Sequence, residues 1–529
     1  MVKQPKPQPE KYNDLITYIR RGYIKIPKFQ RDFVWGIEDT AKLLDSIIKG
    51  YPIGTFILWK TRERLRSIKN LGGADLPPTP EGDSVQYVLD GQQRLASLFV
   101  VLEGLQVNKG NKIIDYKEIY VDLDKNINDD EPIITPEKTE ENKCITLYDL
   151  LSNKVSYLAK NYPDYIDKIQ DYRDRFTTYD FSTIVLPDYP IDAAVEIFTR
   201  INTTGTELTL FEIMSAKTYD EIKNFDLQEK YKQLQEDLES IGYDTIPSST
   251  VLQCLSLNLV KECTRKAILK LNKDDIINVW DGTVESIKYA IDYFRTFYHI
   301  PASRLLPYNA LLVPFSYFFF IKKDKPDSEQ EKLLQEYFWR SSLSYHFSSA
   351  VETKLGQDAK RIVQIINREK RGYDFNVLLD KDEIKNWWFS TGDSYCKAIL
   401  CLFAYFNPKS FDNNGDVILD NSWLKQSNSR NYHHFFPRAY LGKNPNENSI
   451  VNITLVDDYL NKREIGAKSP SEYMQKFKER NLYLDETMKT HLIDDLDDFG
   501  VWENYYEKFL EKRSEKIVEE LRKRIEILC

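Results

Sequence analysis

Two of the five histidines in this chain are adjacent, and their sequence context makes them candidates for catalysis. His433 and His434 lie in the segment NYHHFFPRAYL and would point to opposite faces of an extended strand, so they can take different roles. A histidine can act as a general base near neutral pH, and a neutral imidazole can bind a metal ion. A histidine pair alone is as often structural, so other residues must support either role.

Two asparagines follow the histidine pair along the chain. The segment IVNITLVDDYLNKREIG contains Asn452 and Asn461. Cleavage of a phosphodiester bond requires a base that activates water and a cation that offsets charge on the scissile phosphate. A hairpin and a following helix that carry the two histidines and the two asparagines can supply these groups. The C-terminal part of the sequence therefore indicates metal-dependent phosphodiester cleavage.

Local charge around the histidines favours a nucleic-acid substrate. The chain has a formal net charge of −9, which excludes an evenly basic nucleic-acid coat, but no Asp or Glu occurs between Asn421 and Asn446. A basic surface beside a metal site would position phosphates. The residues predicted to contact DNA are Arg430, Arg438, Lys443, Lys462 and Arg463. A plain solvated face stays open as the alternative.

A second candidate site lies in YVLDGQQRLASLFVVLEG, which predicts a strand, a turn at Asp90-Gly91 and a helix from Gln92. A helix that begins after a strand and a glycine turn presents free amides and a positive dipole end to an anion. Arg94 could add a guanidinium contact to phosphate, and Asp90 could hold a divalent cation or orient a water. By spacing alone, an N-cap at Asp90 and a surface ion pair at Arg94 are the simpler interpretation.

The elements that must position these residues indicate an α+β multidomain protein. Short β-rich runs alternate with helical periodicity up to about Leu186, and amphipathic helical patterns dominate from Ile191 to about Phe406. These patterns predict an α/β unit at residues 1–220, a largely helical middle unit at residues 221–406 and a C-terminal unit, which contains the histidine pair, at residues 407–529. The six cysteines lack CxxC spacing, and the N-terminus lacks a secretory signal, so a reducing cytoplasm is expected. The apolar run from Leu305 to Ile321 is short for a membrane span and is expected to form buried core.

Four ordered motifs in the first part of the chain resemble the N-terminal domain of GmrSD-type restriction proteins. They span about Tyr12 to Tyr219 and read IPKFQRDFVW, LLDSIIKGYPIGTFILW, VLDGQQR and FTRINTTGTELTLFE. The resemblance implies a ParB/sulfiredoxin-like α/β fold that binds and hydrolyses a nucleoside triphosphate. The nucleotide-binding residues that it implies are Asp90, Gly91, Gln92, Gln93 and Arg94, with Gln30 and Arg31 on the phosphate side. No Walker A sequence is present, so this NTPase would not be of the P-loop kind.

The polar turn that begins at Asn202 offers further donors to the nucleotide, although a helix cap would use the same residue types.

The order H-H-x-x-P, N-I-T-L and L-N-x-x-x-I-G resembles the HNH, or ββα-metal, nuclease fold found at the C-terminus of GmrSD-like proteins. By this resemblance His434 is the general base, His433 and Asn461 are metal ligands, and Asn452 braces the motif. Two departures exist. The cysteines that hold a structural zinc in many HNH enzymes are absent, and Glu464 stands where those enzymes carry Lys. An exchange of roles between His433 and His434 stays open.

Together the resemblances imply a cytoplasmic, nucleotide-dependent DNA endonuclease that restricts modified phage DNA and uses Mg²⁺ or another divalent cation. Assembly into a homo-oligomer stays open as a possibility, and no membrane partner is expected. Two other classes stay open. One is a regulatory protein that binds nucleotide or modified DNA through a non-cleaving HNH unit, and the other is an RNA-directed or toxin nuclease.

Overall fold

The computed structural model describes residues 5–28, 33–65, 67, 70–71, 74–109, 112–138, 143–201, 209–369, 372–373, 375–421, 432–456 and 464–525. The chain divides into two compact units, Met1–Leu227 and Gln228–Cys529. The α+β multidomain class expected from the sequence is confirmed. The second unit holds both the predicted helical middle and the predicted nuclease segment, and their separation into two domains near residue 406 stays a prediction.

Runs rich in β-branched and aromatic residues form a mixed sheet in the first unit. The strands of this unit are β1 (Lys6–Lys11), β2 (Ile24–Lys25), β3 (Phe56–Thr61), β4 (Asn70–Leu71), β5 (Ala74–Asp75), β6 (Val85–Asp90), β7 (Gln106–Lys109), β8 (Lys112–Asp115), β9 (Tyr120–Asp122), β10 (Ile134–Thr135), β11 (Cys144–Thr146) and β12 (Asp180–Pro187). The main sheet has the order β1-β12-β3-β6-β2. β6 pairs antiparallel with β3 and in parallel with β2, so β6 is an inner strand of this sheet.

Helices cover this sheet and carry much of the core of the first unit. They are α1 (Tyr12–Arg20), α2 (Ile37–Ile48), α3 (Gln92–Leu102), α4 (Leu147–Ser152), α5 (Val155–Asn161), α6 (Ile166–Thr178), α7 (Ile191–Ile201) and α8 (Leu210–Thr218). The predicted apolar face of α3 is buried, and apolar residues on its other faces, such as Val100 and Val101, are buried as well. A helix that is apolar on nearly all sides is buried inside a domain. Packing on all sides therefore fixes the position of α3, which begins two residues after the end of β6.

The second unit is mainly helical. Its helices are α9 (Leu227–Glu239), α10 (Ser248–Val260), α11 (Arg265–Lys270), α12 (Lys273–Thr296), α13 (Leu312–Lys322), α14 (Ser328–Leu343), α15 (Val351–Ile366), α16 (Lys381–Asn386), α17 (Ser394–Tyr405), α18 (Arg438–Leu441), α19 (Pro470–Arg480), α20 (Leu484–Lys489) and α21 (Tyr506–Ile525). Its strands are β13 (Tyr432–His434) and β14 (Ile453–Leu455). The C-terminal helix α21 packs against α14 and α16.

Most of the apolar run expected in the core is buried, and its last residue, Ile321, is exposed. It ends in α13, whose residues from Leu312 to Phe319 are buried. Among the helices that the structure describes, none is long and apolar enough to cross a membrane. The cysteines within the described ranges are buried and form no disulfide.

Candidate active site

The DGQQR motif forms the strand, turn and helix start that its sequence predicts. Asp90 ends β6, and α3 begins at Gln92. Gly91 lies between them with φ 89° and is the N-cap of α3. A Cβ at this position would lie 2.4 Å from the ring of Phe56, so both the backbone angle and the space require glycine.

Arg94 is bound to the protein itself through its guanidinium group. Its Nη1 donates to the carbonyl of Ile53 at 2.6 Å, and its Nη2 donates to the carbonyl of Thr55 at 3.1 Å and to the carboxylate of Asp90 at 3.0 Å. Gly54 also has a positive φ, 88°, and a Cβ there would lie 2.4 Å from Nη1 of Arg94. The turn before β3 therefore forms a seat for the guanidinium, and Asp90 is one wall of it.

Gln93 joins the DGQQR motif to the first of the four motifs. Its side-chain carbonyl accepts hydrogen bonds from the backbone amides of Val34 at 2.8 Å and Trp35 at 3.2 Å. The hydroxyl of Tyr116 donates to the carbonyl of Trp35 at 2.7 Å. Gln92 and Gln93 are both buried. The two glutamines are therefore part of the interior, and Gln93 anchors the chain that follows the predicted phosphate-side residues.

The remaining nucleotide-binding predictions lie outside the described residues. They are Gln30, Arg31 and Asn202. The segments next to them are described. Val34 and Trp35, which follow Arg31 closely, are hydrogen-bonded to Gln93. Helix α7, which ends at Ile201, contacts β6. The amides of the first turn of α3 have no intrahelical acceptor, and no acidic residue lies in that turn. This arrangement can receive an anion, and nucleotide binding stays a prediction.

The two adjacent histidines lie on a short antiparallel hairpin. β13 pairs with β14 so that His433 is opposite Thr454 and His434 is opposite Ile453. His433 is buried and His434 is partly exposed, in agreement with the opposite faces expected for an extended pair. The helix that was predicted to follow the hairpin and carry Asn461 lies largely outside the described residues, which resume at Glu464.

A hydrogen-bond chain sets the tautomer of His434. The side-chain amide nitrogen of Asn448 lies 3.0 Å from the carbonyl oxygen of Phe389, which can only accept. The other end of this side chain is therefore its carbonyl, and it lies 2.8 Å from Nε2 of His434. Nε2 must then be the nitrogen that carries the proton, which leaves Nδ1 with its lone pair. Burial lowers the pKa of His434, while the bond to Asn448 acts in the opposite direction.

His433 has the opposite arrangement. Its Nδ1 lies 3.1 Å from the hydroxyl of Thr454, and that hydroxyl donates to the carbonyl of His433 at 3.4 Å. Thr454 has one proton to give, so Nδ1–H of His433 is the donor to Thr454. Nε2 of His433 is buried and has no hydrogen-bond partner within the described part of the chain. Burial, followed by smaller effects of His434, His491 and Arg513, lowers the pKa of His433 to about 3, so its imidazole is neutral near pH 7.

Asn452 braces the turn between the histidines and α18. Its side-chain carbonyl accepts from the amide of Phe436 at 2.8 Å, and its amide nitrogen donates to the carbonyl of Phe436 at 2.9 Å and to that of Glu447 at 3.3 Å. The side chain is completely buried. The segment directly after His434 is irregular, and the side chain of Asn452 supplies the hydrogen bonds that a neighbouring strand would otherwise supply to its backbone.

Arg513 of α21 supports the hairpin from below. Its guanidinium donates to the carbonyls of Val451 and Ile453, the latter at 2.7 Å, and to the carbonyl of His491 at 3.0 Å. Arg513 is fully buried, and its guanidinium also lies over the ring of Phe403 at 4.6 Å. A cation held by carbonyl dipoles therefore links β14 to two other segments of the chain.

Two of the five residues predicted to contact DNA are described. Arg438 and Lys443 are exposed at α18 and directly after it. Nε of Arg438 donates to Glu447 at 3.0 Å, so this arginine has an acidic partner inside the second unit. Arg430, Lys462 and Arg463 lie outside the described residues.

Of the two predicted metal ligands, only His433 lies in the described residues. The buried, neutral Nε2 of His433 has a lone pair and no partner in the described residues. Asn461, the other predicted ligand, lies outside them. No group of three or more His, Cys, Asp or Glu residues that could hold a metal occurs in the ranges the structure covers. Metal binding stays a prediction.

Three residues of these sites carry weak sequence signals. Gly54 precedes a strand in PIGTF, which is typical of a turn but does not indicate an arginine seat. Asn448 lies in a polar run, NPNENS, where one asparagine resembles the others. Arg513 stands four residues from Phe509 and from Ile517, on the apolar face of α21, and a charge at such a position indicates a buried role.

Two family models match this chain. The GmrSD restriction endonuclease, N-terminal domain, matches residues 12–219, and the GmrSD restriction endonucleases, C-terminal domain, matches residues 381–520. The chain is also similar to the uncharacterized protein MJ0686 of Methanocaldococcus jannaschii, with 25% identity in an alignment of 587 positions that covers 96% of this chain and 97% of that protein. The first match includes the DGQQR motif and the second includes the histidine hairpin.

Proposed function

Because this chain belongs to the GmrSD restriction endonuclease family, we propose that it is a nucleotide-dependent DNA endonuclease that restricts modified phage DNA in the cytoplasm. The family gives it a restriction-endonuclease role with DNA as substrate. The finer parts of the proposal are HNH-type chemistry at the histidine hairpin, a divalent cation, and NTP hydrolysis at DGQQR.

The observation that carries the proposal is the pair of neutral imidazoles on the hairpin. His434 is partly exposed, and its Nδ1 is free to accept a proton because Nε2 is bound to Asn448. His433 is buried, and its Nε2 has no hydrogen-bond partner among the described residues, which is the form of histidine that binds metal ions. Two adjacent histidines with different tautomers support one role as base and one as ligand, in the order that the sequence resemblance implies.

Each residue of the hairpin then has a chemical task. His434 takes the proton from the attacking water, and Asn452 keeps the turn after it in place. His433 and Asn461 would hold a divalent cation, which supplies charge stabilisation at the scissile phosphate. Arg438 and Lys443, with Arg430, Lys462 and Arg463, contact the phosphates on either side.

The DGQQR motif is proposed to bind a nucleoside triphosphate at the start of α3. The backbone amides of Gln92 and Gln93, at the positive end of the helix dipole, would contact phosphate oxygens, as at other helix N-termini. Asp90 would orient the attacking water or a cation, and Arg94 would hold Asp90 in place through the bond at 3.0 Å. Nucleotide turnover would control cleavage only if nucleotide binds the active and inactive arrangements with different affinity.

The decisive experiment compares cleavage by wild-type protein with that by His434→Ala. Purified protein is incubated with plain DNA, phage-modified DNA and RNA, with and without Mg²⁺ and with each NTP. Loss of a general base should lower DNA cleavage about 10²- to 10⁴-fold, while NTP hydrolysis persists. The matched control is His299→Ala, because this histidine binds the carbonyl of Tyr405 and lies away from the hairpin in sequence.

Three results would contradict the proposal. Equal cleavage by wild type and His434→Ala would remove the base from the hairpin. Cleavage of RNA but not DNA would favour an RNA-directed nuclease. DNA binding without cleavage under every condition would favour a regulatory binding protein.

A further inference from the structure

We infer that Asn448 is a positioning residue for catalysis, which holds His434 in its Nε2–H tautomer and makes Nδ1 the atom that accepts the proton from water. This inference rests on the proposed nuclease function and deepens it, because it assigns the reacting atom and a residue that no sequence motif marked. It starts from a part of the second unit that lies far from the hairpin in sequence, the segment around Phe389.

The segment around Phe389 holds Asn448 by two hydrogen bonds. The backbone amide of Phe389 donates to the backbone carbonyl of Asn448 at 2.8 Å, and the Asn448 side-chain amide donates to the Phe389 carbonyl at 3.0 Å. Next to this pair, Trp388 and Ser449 form a β-bridge. Asn448 itself is buried. Its side chain therefore has one orientation, with the carbonyl toward His434.

This orientation removes a choice that a free histidine has. A neutral imidazole can carry its proton on either nitrogen, and only the other nitrogen can act as a base. The side-chain carbonyl of Asn448 accepts a hydrogen bond from Nε2–H of His434 at 2.8 Å, so the lone pair is on Nδ1. The same bond restrains rotation of the ring. Asn448 thus acts on the reaction through His434 and does not itself contact the reacting atoms.

The neighbouring histidine shows that the tautomer is selected at each ring. The hydroxyl oxygen of Thr454 accepts a hydrogen bond from Nδ1–H of His433, so the lone pair of this ring is on Nε2. The two adjacent imidazoles are therefore held in opposite tautomers by two different side chains. Opposite tautomers suit a base and a metal ligand on the same strand. The lone pair on Nδ1 of His434 would face water, and the lone pair on Nε2 of His433 would face the metal ion.

Two substitutions at position 448 separate positioning from folding. Asn448→Asp and Asn448→Leu both remove the bond to the Phe389 carbonyl, but only aspartate keeps an acceptor for Nε2 of His434. We expect kcat for DNA cleavage to fall about 10- to 100-fold in Asn448→Leu, with KM for DNA unchanged, and to stay closer to wild type in Asn448→Asp. Thermal melting of both variants checks that they are folded.

The reacting atom is tested by placing Nδ-methylhistidine at position 434. The methyl group blocks Nδ1 and leaves Nε2 without a proton for Asn448, so cleavage should be lost. A methylated protein that still cleaves DNA would make Nε2 the base and overturn the inference. Equal kcat in Asn448→Leu and wild type would overturn it as well.

A spectroscopic test is independent of cleavage. The chain has only five histidines, so ¹⁵N-histidine labelling gives few ring signals, and the signal lost in His434→Gln belongs to His434. The two-bond proton–nitrogen pattern should show the Nε2–H tautomer in wild type and a changed pattern in Asn448→Leu. If this pattern is present but no DNA is cleaved, the proposed function fails and the positioning stands. If wild type shows the Nδ1–H tautomer, the positioning fails whatever the cleavage result.

Discussion

The guanidinium of Arg94 donates to the carboxylate of Asp90 at 3.0 Å, and the same group donates to the carbonyl of Ile53 at 2.6 Å. The two charged residues of the DGQQR motif therefore bind each other, and the arginine also closes the turn before β3. A residue with these contacts contributes to folding as well as to any phosphate site. Substitution of Arg94 must be interpreted with both effects in mind.

Arg94→Ala should lower the free energy of unfolding by about 2 to 4 kcal/mol, because it leaves backbone carbonyls and the Asp90 carboxylate without their donor. The matched control is Arg20→Ala, which removes a surface ion pair to Glu103 and should cost less than about 1 kcal/mol. Urea denaturation measures both. Calorimetry under conditions where Arg94→Ala is folded then reports NTP affinity. Unchanged affinity would leave Arg94 a structural residue only.

Glu447→Gln should increase DNA affinity about three- to tenfold, since it removes a negative charge beside the phosphates and releases Arg438 from its partner. Glu472→Gln is the matched control, because this exposed carboxylate lies on α19 and pairs only loosely with Lys476, at 3.9 Å. Fluorescence anisotropy with labelled DNA, without divalent cations, gives both dissociation constants. Equal values for the two variants would remove Arg438 from the predicted DNA surface.

Arg513→Met should destabilise the protein by more than about 3 kcal/mol, because the carbonyls of Val451, Ile453 and His491 would lose a buried donor. Arg480→Met serves as the control, since Arg480 is half exposed and forms a surface pair with Asp412 at 3.2 Å. That change should cost less than about 1 kcal/mol. Chemical denaturation that gives equal losses for both variants would show that the buried arginine does not support the hairpin.

The stability of the protein should fall as the pH drops below about 6.5, in part because of His491. Nε2 of His491 donates to the carbonyl of Lys409 at 2.8 Å, and burial lowers the pKa of this histidine to about 3. Between pH 6.5 and about pH 3, this histidine is protonated in the unfolded chain but not in the folded chain. The free energy of unfolding therefore falls by up to about 1.4 kcal/mol for each pH unit in this range.

His491→Gln tests this linkage, because glutamine keeps a donor for Lys409 but does not titrate. The slope of the unfolding free energy against pH should be smaller in the variant than in wild type between about pH 6.5 and pH 4. Measurement in a chelating buffer excludes metal effects. Parallel slopes would show that His491 is not the buried neutral group that its environment indicates.

The local elements of both sites could be predicted from the sequence. Val85–Asp90 is a run of apolar residues that ends at a glycine, and the glycine takes the positive φ that a strand-to-helix turn needs. The histidine pair, in turn, is expected to point to opposite faces of a strand, and it lies on β13 with His433 buried and His434 partly exposed. Such features depend on neighbours within a few residues, and those neighbours are visible in the sequence.

The partners of the site residues could not be predicted in the same way. The sequence left Arg94 either a phosphate contact or an ion pair, and it did not indicate that the side chain binds the carbonyls of Ile53 and Thr55. A backbone carbonyl has no sequence signature because every residue has one. Asn448 and His434 lie 14 positions apart, and nothing distinguishes Asn448 from the asparagines beside it.

By itself, then, the sequence determined the strand, turn and helix that present Asp90 through Arg94 and the strand that holds the two histidines. The chemistry that it assigns to these residues stays a prediction. Tertiary structure alone decided the proton positions on the imidazoles and the burial of Arg513 under β14. The physical reason is that a tautomer and a buried cation are each stabilised by whichever acceptor the fold brings within about 3 Å. That acceptor is selected by packing between segments that are distant in the chain.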